Sequence, residues 1–163
     1  MRKSSTLWAS LFPALLLFGG CAVKEYTLSE PKQITLKTWK LKFNDVGFLR
    51  HNGSAVQLEL FSAGQPVERF EIDGEVCVQQ GCMSKEAFNE TYLTAAYPQT
   101  LLQNVLLGRP IFGGRDLVRR DGGFEQELKA MAVYNITYRV TQNEIYFRDR
   151  INNILIKIKD MNN

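Results

Sequence analysis

Two cysteines with four residues between them, Cys77 and Cys82 in the stretch GEVCVQQGC, are the side chains of this chain best suited to chemistry. Such a pair can hold a metal, pass electrons or close a disulfide. A structural zinc site takes about four Cys or His ligands, and the chain has a single histidine, His51, distant in sequence. A thioredoxin-type motif separates its cysteines by two residues rather than four. Free thiols and metal or redox chemistry stay open on spacing alone, because pairing depends on the compartment. Other chemistry is thinly supported. One histidine serves no plausible Ser-His-Asp arrangement, and His51 sits before Asn52-Gly53, where a turn residue is expected. Asp45, Asp73 and Asp121 fall in or beside expected turns, where Asp is locally favoured. Glu68, Glu71 and Glu75 alternate with apolar residues and read as solvent-facing strand positions. Gly113-Gly114 and Gly122-Gly123 lack the Lys-Ser/Thr of a phosphate loop. The chain reads as a non-enzyme without a metal site or cofactor.

The compartment is written at the N-terminus, MRKSSTLWASLFPALLLFGGCAV. Arg2 and Lys3 precede the apolar run Leu7 to Phe18, and Gly19-Gly20-Cys21 follows. That is the order of a secretory signal peptide. The run is shorter than the ~20 apolar residues of a bilayer span. The cysteine after two glycines resembles the lipobox of bacterial lipoproteins, with Phe18 where that motif usually has a branched aliphatic residue. The resemblance implies cleavage before Cys21 and acylation of it, with palmitate among the chains. Stable anchoring takes more than one chain. Ala22, where the sorting rule of that family reads Asp as retention, implies the periplasmic face of the outer membrane. With Cys21 lipidated, two thiols remain, and an oxidising envelope favours a Cys77–Cys82 disulfide. The closed loop is small, so its stabilisation stays below the ~3 kcal/mol of a 15-residue loop.

Removing residues 1–20 leaves 143, which suits one domain. The signal carries Arg2 and Lys3, so 20 basic residues fall to 18 against 17 acidic, a net charge of about +1. Nothing marks a nucleic-acid footprint, which is a basic patch or stripe. Arg115, Arg119 and Arg120 form a small basic cluster, either solvated charge or a phospholipid head-group contact. Residues 21–33 read as a lipidated polar tether and residues 34–163 as the domain.

The elements that position these residues are mostly strands. ITLKTWKLKF alternates with a change of phase, which predicts a bulge near Thr38. Asn52-Gly53 signals a hairpin. Val56, Leu58 and Leu60 share a face. Ser62 to Pro66 and Asp73-Gly74 are further turns. After EVCVQ the period changes: Ser84 suits an N-cap, Glu86 the first turn, Pro98 the first turn of a second helix and Gly108 its stop. Leu101, Leu102, Val105 and Leu106 recur at helical spacing. Strands then resume as RDLVRR, ELKAMAVYNITYRV, EIYFRD and NILIKIKD. In the last, Ile154, Ile156 and Ile158 face one way and Leu155, Lys157 and Lys159 the other, as on an edge or solvent-facing strand. The predicted fold is mainly β (α+β). It is an open, curled antiparallel half-barrel with a helical lid at about residues 84–108, inserted after about the fifth strand.

That architecture resembles the lipoprotein-carrier fold, and the lid carries a sharper likeness. PQTLLQNVLLGRP, with Pro98, Leu102, Val105-Leu106, Gly108 and Pro110, is similar to a segment of the outer-membrane lipoprotein-insertion receptor family LolB. Val105 stands where that family has tryptophan. The closing strands NEIYFRDRINNILIKIKDMN are similar too. The resemblance implies a lipid-anchored protein that binds acyl chains or lipoprotein cargo in an apolar cavity, receives cargo from a periplasmic chaperone and helps to insert lipoproteins in the outer membrane. Pro98, Leu101, Leu102, Val105, Leu106, Gly108 and Pro110 would form the lid and ligand face. On spacing alone the four apolar lid residues fill a core equally well. The family displays an exposed leucine on an early turn, thought to touch the membrane; the turn Ser62–Pro66 has none. The other class of function is a structural or scaffolding envelope lipoprotein that uses the same fold for protein contacts.

Overall fold

The computed structural model describes Tyr26 and residues 28–161. Cys21, the signal segment and residues 22–25 and 27 of the expected tether lie outside the described residues. Eleven antiparallel strands form one sheet. They are β1 (Leu28–Lys37), β2 (Lys42–Asn52), β3 (Ala55–Ser62), β4 (Gln65–Ile72), β5 (Val76–Val78), β6 (Gly81–Met83), β7 (Leu117–Arg120), β8 (Gly123–Ala130), β9 (Tyr134–Val140), β10 (Glu144–Asp149) and β11 (Ile154–Asp160). Their order is β6-β5-β4-β3-β2-β1-β11-β10-β9-β8-β7. The first and last strands meet in the middle of the sheet, Ile34 opposite Ile158 and Leu36 opposite Ile156. The free edges are β6 and β7, three and four residues long. Short edges limit pairing with other chains. The sheet is the expected open, curled half-barrel, and the chain between its two edges is the helical insert.

Sequence alternation places the core. Ile34 and Leu36 on β1, Val56, Leu58 and Leu60 on β3, Ile136 and Tyr138 on β9, Phe147 on β10 and Ile154, Ile156 and Ile158 on β11 all point to the covered face. Most intervening residues are half-buried or exposed, as the two-residue period requires, with Gln57 and Thr137 the buried polar exceptions on these strands. Gly47 in β2 is a packing necessity. A Cβ there would lie 2.5 Å from Ile34 Cδ1 and 2.6 Å from the Glu59 carbonyl oxygen.

Several boundaries differ from the expectation. The phase change near Thr38 is a hairpin turn and not a bulge. Thr38 Oγ1 accepts from the amides of Lys40 and Leu41, and the Thr38 amide donates to the Leu41 carbonyl at 2.8 Å. Alternation restarted in a new phase because the chain had turned back. The register shift found in this half of the sheet is instead at Leu60/Phe61. Six strands therefore precede the insert. ELKAMAVYNITYRV is two strands with a turn at Met131–Val133, where Ala132 adopts φ 59°. β1 begins at Leu28, so the sheet takes in residues 28–33 of the expected tether; their polar side chains fit because Glu30 is exposed and Lys32 is ion-paired. β11 is central, and its lysines face solvent from the convex side of the sheet. Asp45 lies within β2 opposite Ile34 and not at a turn.

Gly47→Ala is expected to lower the unfolding free energy by about 1–3 kcal/mol, the usual cost of overpacking. Gly74 has open space around it and no positive φ, so Gly74→Ala should stay within about 0.5 kcal/mol of the parent. Urea unfolding of both variants checks the pair, and equal effects would contradict this packing.

Candidate functional site

The insert runs from Ser84 to Asp116 and contains α1 (Lys85–Tyr92) and α2 (Leu101–Leu106). Ser84 caps α1, its Oγ accepting from the Ala87 amide at 3.2 Å, and Glu86 follows in the first turn. Both match the sequence signals. Pro98 sits just ahead of α2 and gives its carbonyl to the Leu101 amide at 2.9 Å. Gly108 ends α2 with φ 62°, its amide donating to the Val105 carbonyl. Pro110 is exposed, and its carbonyl accepts from Asn104 Nδ2 at 3.2 Å.

The four apolar residues of α2 point inward. Leu101, Val105 and Leu106 are at or below 1% exposure and Leu102 is at 6%. They meet a file of aromatic rings. Phe88 and Tyr92 of α1 stack at 4.6 Å, and Phe70 of β4 stands edge-on to both. Further along, Tyr97 is edge-on to Phe147, and Phe147 neighbours Tyr138. Between sheet and insert a cavity of about 20 Å³ remains, bordered by Leu36, Leu58, Phe70, Phe88, Leu102 and Leu106. That is room for about one water. In this conformation the residues expected to line a ligand cavity fill the core.

Polar latches hold the insert in place. The Tyr97 hydroxyl donates to Asp149 Oδ2 at 2.6 Å. Asp149 ends β10 and is fully buried. It also accepts from the amides of Asn135, Ile151 and Asn152 and from Asn152 Nδ2. Burial alone would raise the carboxyl, but these donors outweigh it and hold Asp149 below its ordinary range. Burial and the Asp149 charge push the Tyr97 hydroxyl well above its ordinary value. Asn89 of α1 donates from Nδ2 to the carbonyls of Tyr97 and Pro98 and fixes the loop that presents Tyr97. At the far end Gln126 of β8 is fully buried. It accepts from the Ile111 amide at 2.9 Å and donates to the carbonyls of Ile111 and Arg115. Arg109 donates to the Gly53 carbonyl, and Gln103 to that of Ser54. Phe112, Gly113, Gly114 and Asp116 all take left-handed backbone, which turns the chain out of the insert into β7.

Beside the C-terminal end of α2 lies an open groove of about 740 Å³. Leu49, Leu106, Ile145 and Ile158 contribute apolar wall, and His51, Arg109 and Glu144 polar wall. Lys32 lies in the same groove, bonded to Asp160 at 2.7 Å and to Glu30. The groove lining is mixed, with the charged residues Glu30, Lys32, Arg109, Glu144 and Asp160 beside its apolar wall.

Cys77 and Cys82 face each other on β5 and β6 and form a disulfide with an S–S distance of 2.02 Å. The bond staples the edge hairpin one residue before the Ser84 cap. Of the basic cluster, Arg115 bonds the Tyr134 hydroxyl and Arg120 Glu125; Arg119 is exposed. Among the described residues no group of three or more His, Cys, Asp or Glu could hold a metal, and no helix is long and apolar enough to cross a membrane. Comparison with family models, curated proteins and solved structures finds no match.

Sequence reasoning missed the Tyr97–Asp149 latch and the Gln126 clamp. One signal was present: Asp149 falls in phase with Phe147, two residues before it on the core face. Tyr97→Phe is expected to cost about 1.5–3 kcal/mol, the range for a hydrogen bond to a charged group, and Asp149→Asn more, because several donors lose a charged acceptor with two oxygens. The sign of the pH dependence follows from the lowered Asp149 value. Its contribution is complete above the unfolded carboxyl value of about 4 and is lost as pH falls through the lower folded value. Unfolding curves from pH 6 to pH 3 should show a shallower decline for Asp149→Asn than for the parent; parallel curves would contradict the latch.

Proposed function

We propose that this protein is a lipid-anchored protein of the bacterial envelope that binds acyl chains of a lipid or lipoprotein between its half-barrel and its helical insert. The observation that carries the reading is the construction of the insert. It is an apolar cover spanning the gap between two free sheet edges, and separable polar latches hold it down. A cover built this way can leave the concave face without breaking the strand ladder. Displacing α2 would expose Leu58, Phe70 and Phe147 beside the groove already open at its end. Each CH₂ of a bound chain then gains roughly 0.8 kcal/mol, which offsets the cost of moving the insert. The likeness of residues 98–110 to the LolB family supports the same reading, as does the lipobox at Cys21. Transfer to the outer membrane, with cargo taken from a periplasmic chaperone, is the role that this likeness supplies.

A second reading has its own support. The interior is filled by aromatic and aliphatic side chains, with about 20 Å³ to spare. A filled half-barrel suits a scaffold that makes protein contacts and carries no lipid. Native mass spectrometry of the protein gently extracted from its own membranes separates the two. The carrier is expected to arrive with acyl mass bound and to exchange it faster as Tyr97→Phe, which loosens the latch without burying a charge. Absence of bound acyl mass, together with no uptake of palmitate by either form, would leave the scaffold. Radioactive palmitate should label the parent and not Cys21→Ala; equal labelling rejects the anchor.

A further inference from the structure

The two poles of the sheet differ in chemistry. At the pole where β1 begins, the hairpin turns are Asn52-Gly53, Asp73-Gly74, Asp121-Gly122 and Gln142-Asn143, all polar. The opposite pole carries the turns β3–β4 (Ser62–Gln65) and β5–β6 (Gln79-Gln80), which are polar, and next to them the turns β1–β2, β10–β11 and β8–β9. The registers set these last three side by side. Lys37, opposite Lys42, also pairs with Leu155, and Asp149 pairs with Ile136. Each of these three turns displays a large apolar side chain to solvent: Trp39 at 67% exposure, Met131 at 95% and Val133 at 41%, and Ile151 at 47%. Four of the seven exposed large hydrophobic residues among those described are thus gathered on three neighbouring turns.

Within these three turn segments the exposed charge has one sign. Residues 37–42, 129–134 and 148–153 hold six bases, Lys37, Lys40, Lys42, Lys129, Arg148 and Arg150. The same segments hold one acid, Asp149, which is buried and committed to the latch. The acids nearest in sequence, exposed Glu127 and half-buried Asp45, sit back along the strands. Apolar tips that project singly from turns, ringed by long basic side chains, match a bilayer interface. The tips enter the acyl boundary while Lys and Arg reach phosphate. Trp at such a boundary is favoured because its ring is apolar with one polar edge.

We infer that this turn pole docks on the surface of an anionic lipid bilayer, with Trp39, Met131 and Ile151 as the inserting tips and the lysines and arginines as the phosphate contacts. The contact is separate from any lipid on Cys21 and from any cargo in the half-barrel. It places Tyr97 and Asp149, the latch at this same pole, next to the membrane surface.

Residues 22–163 contain every described strand and helix, and Trp39 is their sole tryptophan, the other being Trp8. Trp39 therefore reports the contact directly. With this unacylated protein, phosphatidylglycerol vesicles are expected to shift Trp39 emission to the blue and to carry the protein in flotation. Phosphatidylcholine vesicles should do so weakly, and added salt should reverse the binding. Lys40→Glu with Arg150→Glu should weaken binding about ten-fold or more, since each base near an anionic surface contributes roughly 1 kcal/mol. Met131→Ser with Ile151→Ser should weaken flotation at unchanged charge. All four positions are exposed, so circular dichroism and unfolding should match the parent. Absence of a Trp39 shift with phosphatidylglycerol overturns the inference, and so does vesicle binding that both double variants leave intact.

Discussion

An antiparallel sheet with one apolar face must cover that face, and this sheet does not close to cover it by itself. Its outer strands β6 and β7 each leave one edge unpaired, and the concave row from Ile34 to Ile158 would otherwise meet water. Everything else follows from that constraint. The insert is placed in the chain between the two free edges, so its path from one to the other crosses the open side. The pairing of β1 with β11 gives the sheet a continuous middle that does not rely on the insert. The ladder and the cover are thus separable parts, which a closed barrel does not allow.

The cover is held by two kinds of force with different consequences. Apolar burial of Leu101, Val105, Leu106, Phe88 and Tyr92 contributes most of the free energy, roughly 1.5–3 kcal/mol for each large side chain. It is non-directional and would accept an acyl chain in place of a helix. The polar latches are directional and contribute less, but they select this one arrangement. Tyr97 reaches a carboxylate that already gathers three hydrogen bonds from its own turn and a fourth from the Asn135 amide of β9. Asp149 therefore organises the β10–β11 turn whether or not Tyr97 is present, so the latch can open without undoing its own anchor. The Gln126 clamp differs, since it binds the backbone on both sides of the left-handed segment at Phe112. The Ile111 end of the insert is the fixed end, and the Tyr97 loop is the end held to the sheet through the Tyr97 hydroxyl.

The strands were legible in the sequence wherever one face is buried and the other wet. Val56-Leu58-Leu60 and Ile154-Ile156-Ile158 are correct to the residue because burial imposes the two-residue period directly. The failures came where a turn wears apolar side chains. Trp39 and Leu41 continue an alternation that belongs to two strands, and Met131-Ala132-Val133 reads as strand because turn residues are usually polar or glycine. Neither turn has the Asn-Gly or Asp-Gly signal of the Asn52-Gly53, Asp73-Gly74 and Asp121-Gly122 turns at the other pole. The latch was hidden for a related reason. An Asp at a strand end reads as a solvent-facing turn former, and only the position of Tyr97, 52 residues earlier, makes it a buried acceptor. Pairwise complementarity between distant residues leaves no trace in local periodicity.

Those misread turns share a physical origin. A hairpin turn loses stability and solubility by displaying Trp, Met or Ile in place of Asn or Gly, and three neighbouring turns of one pole do so while the adjacent Ser62–Gln65 turn is polar. Core packing does not require it: Met131 is 95% exposed and supports nothing beneath it. Sheet geometry does not require it either, since the polar turns Asn52-Gly53 and Gln142-Asn143 close hairpins of the same sheet. The unfavourable exposure of these side chains is offset only where something outside the chain covers them. The surrounding bases, with no exposed acid in the same three segments, narrow that outside surface to a negative one with an apolar interior. The departure from local turn preference and the departure from charge balance coincide at a single pole, which is where the sheet meets its surroundings.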